Sequence, residues 1–186
     1  MTLSTEQGFP YWLALGTSLR GWALAEQGQV EEGIAQMQQG LAAFGAMWTE
    51  MARIVHLPML AAAYAKVGRV EEGLTVLAEA LALVDKTGER VGEAGLYMLK
   101  GWLLLAHSGE NHAEAEACFR QALEVARHQS VKSLELQAVM SLSRLWQNQG
   151  KKKEAHEMLA KIYSWFTEGF DTKDLQEAKA LLEELK

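Results

Sequence analysis

The chain has 186 residues, a formal net charge of −6, 49% apolar residues, two prolines and one cysteine. That length suits one domain with a real core, and the apolar content excludes a disordered chain. The acidic balance argues against DNA, RNA or an anionic membrane as the main partner, since each needs a concentrated basic face.

Residues 1–9 read as the tail of a preceding helix stopped at Gly8. Pro10 opens the next helix, where its missing N–H costs nothing. Such a start implies a piece cut from something larger, with a first hairpin that exposes a face. Met1–Gly8 lacks the basic-then-apolar pattern of a secretory leader. No apolar run of about 18 residues is present to span a membrane.

Repeat one covers 10–46: a helix from Pro10 to Gln27, a break at Gly28, and a partner helix from Val30 to Phe44. Repeat two covers 47–88, with helices from Trp48 to Val67 and from Val70 to Lys86, a stop at Gly68 and a turn at Thr87-Gly88. Pro58 inside the first of these predicts a kink near Ile54–His56. Repeat three covers 89–129, with helices from Val91 to His107 and His112 to His128 around a loop at 108–111. Repeat four covers 130–168. Ser130 is its expected N-cap, Gly150 its break, and Lys151 to Phe166 its second helix. Asp171 or Thr172 then caps a last helix within 171–186, ending near Leu185. Leu175, Ala178, Leu181, Leu182 and Leu185 share one side of that helix. Lys173, Asp174, Glu177, Lys179, Glu183 and Glu184 fall mainly on the other, the pattern of a terminal cover. Every link is short, so each helix pair is expected to be an antiparallel hairpin.

Gly28-Gln29-Val30-Glu31-Glu32-Gly33-Ile34 returns as Gly68-Arg69-Val70-Glu71-Glu72-Gly73-Leu74, with looser copies ending at Ala115 and Ala155. Aligned on Gly33, Gly73, Ala115 and Ala155, the spacings are 40, 42 and 40 residues, the mark of a stacked-repeat protein. The first helix of each hairpin pairs a small residue with a large one three later: Gly21 and Leu24, Ala61 and Tyr64, Gly101 and Leu104, Ser143 and Trp146. The second carries Gly33-Met37-Gly40, Gly73-Leu77-Ala80, Ala115-Phe119-Ala122 and Ala155-Leu159-Ile162. Small residues let two helices cross closely while the large one fills the hole beside them.

This pattern resembles the tetratricopeptide repeat, in a long form near 40 residues, over about 10–166. Arg20 and Lys100 depart from it where leucine is common, and Ile162 replaces the last small residue. A narrower resemblance, carried by Leu13-Ala14-Leu15-Gly16, Gly21–Gly28 and Trp165–Leu175, is to the C-terminal repeat region of bacterial multidomain signalling proteins. Those chains place an adenylate or guanylate cyclase or a kinase before a STAND-type ATPase. The resemblance implies an all-α, right-handed superhelical solenoid of four hairpins with a C-terminal capping helix, acting as a sensor or docking arm.

The sequence offers little catalytic chemistry. The glycine spacings 28–33 and 68–73 mimic a phosphate loop but are followed by Ile34-Ala35 and Leu74-Thr75, where Lys and Ser or Thr are needed. His156-Glu157 lacks a second histidine four residues on. His107, His112 and Glu114 flank a loop without a four-ligand set. Glu31, Glu32, Glu71 and Glu72 complement helix N-termini. Cys118 sits in an apolar pattern as a core or near-core residue; a lone cysteine fits a reducing, cytoplasmic compartment. Lys151-Lys152-Lys153, the only basic run, reads as solvated surface. No catalytic residue, metal ligand or cofactor is assigned.

Function is instead expected on the inner face of the first helices. Counting from the small residue of each places Trp22, Met98, Trp102, Met140 and Arg144 there, with Lys66, Gln147 and Asn148 a turn further on. Trp, Met and Arg concentrated on one groove have the composition of an interface. Trp12, Trp48 and Trp165 are expected in core or joint packing. The expected activity is therefore binding of a protein or peptide, with no nucleic acid and no membrane as partner. Self-association into a homo-oligomer and small-ligand sensing that controls an upstream ATPase or cyclase are the alternatives.

Overall fold

The computed structural model describes residues 8–46, 50–108 and 111–186. The expectations for residues 1–7, Trp48 and the tip of the 108–111 loop lie outside these. Among the described residues nine helices are present: α1 (Pro10–Glu26), α2 (Val30–Ala46), α3 (Glu50–Lys66), α4 (Val70–Thr87), α5 (Glu93–His107), α6 (His112–His128), α7 (Lys132–Asn148), α8 (Lys152–Tyr163) and α9 (Lys173–Glu184). None is long and apolar enough to cross a membrane.

Four of the links use one turn. The N–H two residues past the C-cap reaches back into the last helical turn: Gln29 to Leu24 O (2.9 Å), Arg69 to Tyr64 O (3.0 Å), Val131 to Ala126 O (3.0 Å) and Lys151 to Trp146 O (2.9 Å). This closure satisfies orphan carbonyls and demands a left-handed residue in the middle. Gly28, Gly68 and Gly150 take that conformation, and at the fourth turn Ser130 does, with φ of 59°. Ser130 is therefore not the expected N-cap: Val131 holds that position. Thr172 caps α9 by position, but its hydroxyl donates backwards to Gly169 O at 2.7 Å. Two ends are shorter than expected. The segment ahead of α5 stays a turn that leaves Val91 exposed. Past Tyr163, α8 loosens into bonds from Trp165 to Ile162 O and from Phe166 to Tyr163 O.

The chain groups into two compact units, Met1–Gly92 and Glu93–Lys186. In the first, α1 pairs with α2 and α3 with α4, and α2 also lies on α3. A Cβ on Gly21 would stand 2.6 Å from the carbonyl oxygen of Gly33, and one on Gly33 would stand 2.5 Å from that of Gly21. Only glycine on both helices permits this approach. Met37, Leu77 and Ala80 are fully buried beside the small residues Gly33 and Gly73. Phe44 fills the space between Ala14 and Ala52, with its ring 5.3 Å from the His56 imidazole. α3 runs unbroken through Pro58.

In the second unit α5 pairs with α6 and α7 with α8, α6 also lies on α7, and α9 rests on α7 and α8. Here Gly101 makes room for a ring: an added Cβ would fall 2.5 Å from Phe119. Ala115, Phe119, Ala122, Ala155 and Leu159 are sealed from solvent. So are Leu175, Ala178, Leu181 and Leu185, which makes α9 the cover its one apolar side predicts. Glu135 is buried and accepts from Arg127 Nε at 2.8 Å and Lys132 Nζ at 2.6 Å. Burial opposes its charge, but these two cations outweigh it and hold the carboxyl below its ordinary range.

Two tryptophans depart from expectation. Trp12 is 59% exposed and Trp165 57% exposed. Trp165 falls beyond the end of α8, edge-on to Phe166 and near the Lys132 ammonium. Trp12 meets Tyr11 edge-on, on a side of α1 turned to solvent.

Candidate partner-binding cleft

Of the eight inner-face residues, the second unit brings three around one hollow of about 260 Å³: Trp102 from α5, and Met140 and Arg144 from α7. Trp102 is 46% exposed, and its indole N–H donates to Ser141 Oγ at 3.1 Å. Ser141 in turn donates to Gln137 O at 2.9 Å. The ring edge is thereby fastened while part of its surface remains open. Met140 is buried and forms apolar floor rather than a free contact.

The opposite wall is α9, which the sequence reading treated only as a cover. Lys173, Asp174 and Glu177 line the same hollow. Arg144 Nη2 donates to Glu177 Oε2 at 3.0 Å, and Gln137 Nε2 donates to Asp174 Oδ2 at 2.6 Å. Lys173 Nζ lies 3.7 Å from the other Glu177 oxygen. Two cations and two anions thus face an indole and a thioether. Such exposed pairs contribute little to stability, roughly 0–1 kcal/mol each, so an incoming charged group can exchange with them at small cost. Gln137, Ser141, Lys173, Asp174 and Glu177 were missed as site residues. The polar side of α9 was visible, but nothing in the period shows that it bends back onto α7.

The remaining candidates scatter. Met98 is 3% exposed and belongs to the core, a correction to the inner-face reading: counting by threes and fours cannot tell the groove side of α5 from the side facing its neighbours. Gln147 reaches Glu184 at 3.5 Å, and Asn148 is exposed outside the hollow. In the first unit Trp22 is exposed, and Lys66 pairs with Glu26 at 2.7 Å.

One pair has the outline of a nucleophile and base. Ser18 Oγ lies 2.9 Å from His56 Nδ1. Both side chains are buried, so a substrate cannot reach the hydroxyl. Burial lowers the His56 pKa and raises that of Cys118, which removes thiolate character. Among the described residues no cluster of three or more His, Cys, Asp or Glu could hold a metal.

Residues 50–128 match the family model described as tetratricopeptide repeat. That span, α3 through α6, is similar to tetratricopeptide repeats. Solved structures with this fold cover 95% of it. One is a putative kinesin light chain with nearly identical tetratricopeptide-like repeats from Podosopora anserina, at TM-score 0.75 and 20% identity, with 86% of that chain covered. Another is a Signal Transduction ATPase with Numerous Domains (STAND) protein with a tetratricopeptide repeat sensor from Pyrococcus horikoshii, at TM-score 0.80 and 16% identity. The apo form of RapI aligns at TM-score 0.69 and 11% identity. The chain spans 27% of the Pyrococcus protein and 48% of RapI. No curated protein matches it. At these identities the tetratricopeptide fold is what is shared.

Proposed function

We propose that the chain is a non-catalytic arm of a larger cytoplasmic bacterial signalling protein, and that it holds a protein or peptide segment in the cleft of its second unit. The observation that carries this reading is the fastened, half-open Trp102 beside Met140 and the exchangeable Arg144–Glu177 pair. An aromatic surface, an apolar floor and a cation together have the make-up of an interface hot spot. The hollow, at about 260 Å³, falls below the roughly 300–1,000 Å³ of small-molecule pockets, which favours one side chain of a longer partner over an enclosed metabolite. The STAND relative in fold, whose repeats are described as a sensor, supports the signalling setting.

A displayed-peptide selection against the whole chain tests this. Peptides enriched on the native protein should lose about tenfold or more in affinity on the Trp102→Ala, Arg144→Ala double variant, while its helicity stays unchanged. Equal affinity for both proteins rejects the cleft.

A further inference from the structure

The two walls of the Trp102 cleft run on past it. Gln137 and Arg144 of α7 meet Asp174 and Glu177 of α9, so residue numbers rise together and the two helices run the same way. Towards their N-termini the same pair of helices borders another hollow, of about 420 Å³. Lys173 and Asp174 line both hollows. The two are thus neighbouring stretches of one furrow, joined where Gln137 bridges to Asp174 at 2.6 Å.

The far stretch comes from the α8–α9 link. Residues 164–172 join those helices, where 129–131 suffice between α6 and α7. The longer link turns through Gly169, at φ of 76°, and stands off the first turn of α7. Its half-buried Phe166 lines the hollow together with the buried Leu136 and Leu175. The near stretch carries the Arg144–Glu177 pair, whereas the far one offers mainly apolar surface.

Spacing limits what can occupy both. Gln137, Met140, Ser141 and Arg144 of α7 line the near stretch, and Ser133 and Leu136 the far one. On a helix rising about 1.5 Å per residue, the centres of these two sets lie about 9 Å apart. A chain in the polyproline II form advances about 9 Å in three residues and returns to the same side. Walls tied by bridges of 2.6 and 3.0 Å suit such a strand rather than a helix about 10–12 Å across.

We propose that the partner segment held at Trp102 continues along α7 in extended form, and that an apolar side chain three residues away from its first anchor seats in the Phe166 hollow. This rests on the reading of the Trp102 cleft as a peptide site and adds its second anchor. Taking that side chain out of water adds affinity that the near stretch alone lacks, and the fixed interval selects among sequences.

Peptides enriched on the native chain test this when remade with alanine at each apolar position. Fluorescence anisotropy compares them on the native chain, on the Trp102→Ala, Arg144→Ala double variant, and on Ser133→Trp, which fills the far hollow from an exposed position. The peptides should carry two apolar residues three apart. Ser133→Trp should weaken them by about tenfold or more, and should make no further difference once the second anchor is alanine. Circular dichroism should show both variants folded, and the alanine series on the native chain reads the second anchor without altering the protein. Peptides that respond to the double variant but neither to Ser133→Trp nor to alanine at the second position overturn the second anchor and leave the Trp102 cleft standing. Peptides indifferent to the double variant overturn both. Anchors seven residues apart would mean a bound helix and overturn the extended form. A small molecule retained by the native chain and lost from Ser133→Trp, seen by native mass spectrometry, would assign the far hollow to a free ligand and overturn the proposal as well.

Discussion

At the scale of single residues, two positions carry measurable consequences. Ser130 adopts the left-handed turn conformation that glycine supplies at residues 28, 68 and 150. Its Cβ makes that conformation unfavourable, so Ser130→Gly should stabilise the protein by about 1 kcal/mol, read as a higher urea midpoint. A lower midpoint would show that the serine side chain compensates. His56 is buried against Phe44 and bonded to Ser18, and burial lowers its pKa from 6.5. The unfolded chain thus takes up a proton at a pH where the folded one does not. His56 contributes stability that is present above the unfolded pKa and drains as pH falls through it towards the lower folded value. The melting temperature should drop between about pH 7.5 and pH 5.5, and His56→Gln should flatten that drop. Equal slopes in the two proteins would assign the effect elsewhere. Glu135 and Glu183, whose pKa values are held down by lysine and arginine partners, titrate below this window.

At the scale of helices, the crossings depend on atoms that are not there. Gly33→Leu would drive a side chain into the backbone of α1, and Ala115→Leu would overfill a fully buried position of α6. Each should cost roughly 1–3 kcal/mol or more, by chemical denaturation. Glu32→Leu, one residue away and exposed, should stay within about 0.5 kcal/mol. Equal effects at residues 32 and 33 would mean the register is wrong. These crossings were legible in the sequence because close approach leaves one chemical trace, a small residue at a fixed interval. The turn at Ser130 was not legible. Serine is a favoured N-cap, and only the hydrogen bond from Val131 to Ala126 reveals that it sits one position too early.

At the scale of the whole molecule, the repeat period runs from Gly73 to Ala115 across the boundary between the two compact units. If residues 1–186 work as the single domain proposed from that period, calorimetry should show one unfolding transition with equal calorimetric and van't Hoff enthalpies. Two resolved transitions would make the units independent.

Helix number, hairpin pairing and the terminal cover could be read before any coordinate was known. Each follows from local rules: a period near 40, glycine after α1, α3, α4 and α7, one apolar side on the last. Which exposed side chains meet could not. Met98 and Trp102 lie four apart on α5 and look alike by spacing, yet one is core and the other is open. Arg144 acquires its neighbours only because α9 folds back against α7, 33 residues further along the chain. Burial and ion pairing depend on where distant helices come to rest, and a one-dimensional pattern repeats the same way whichever side of a helix is covered.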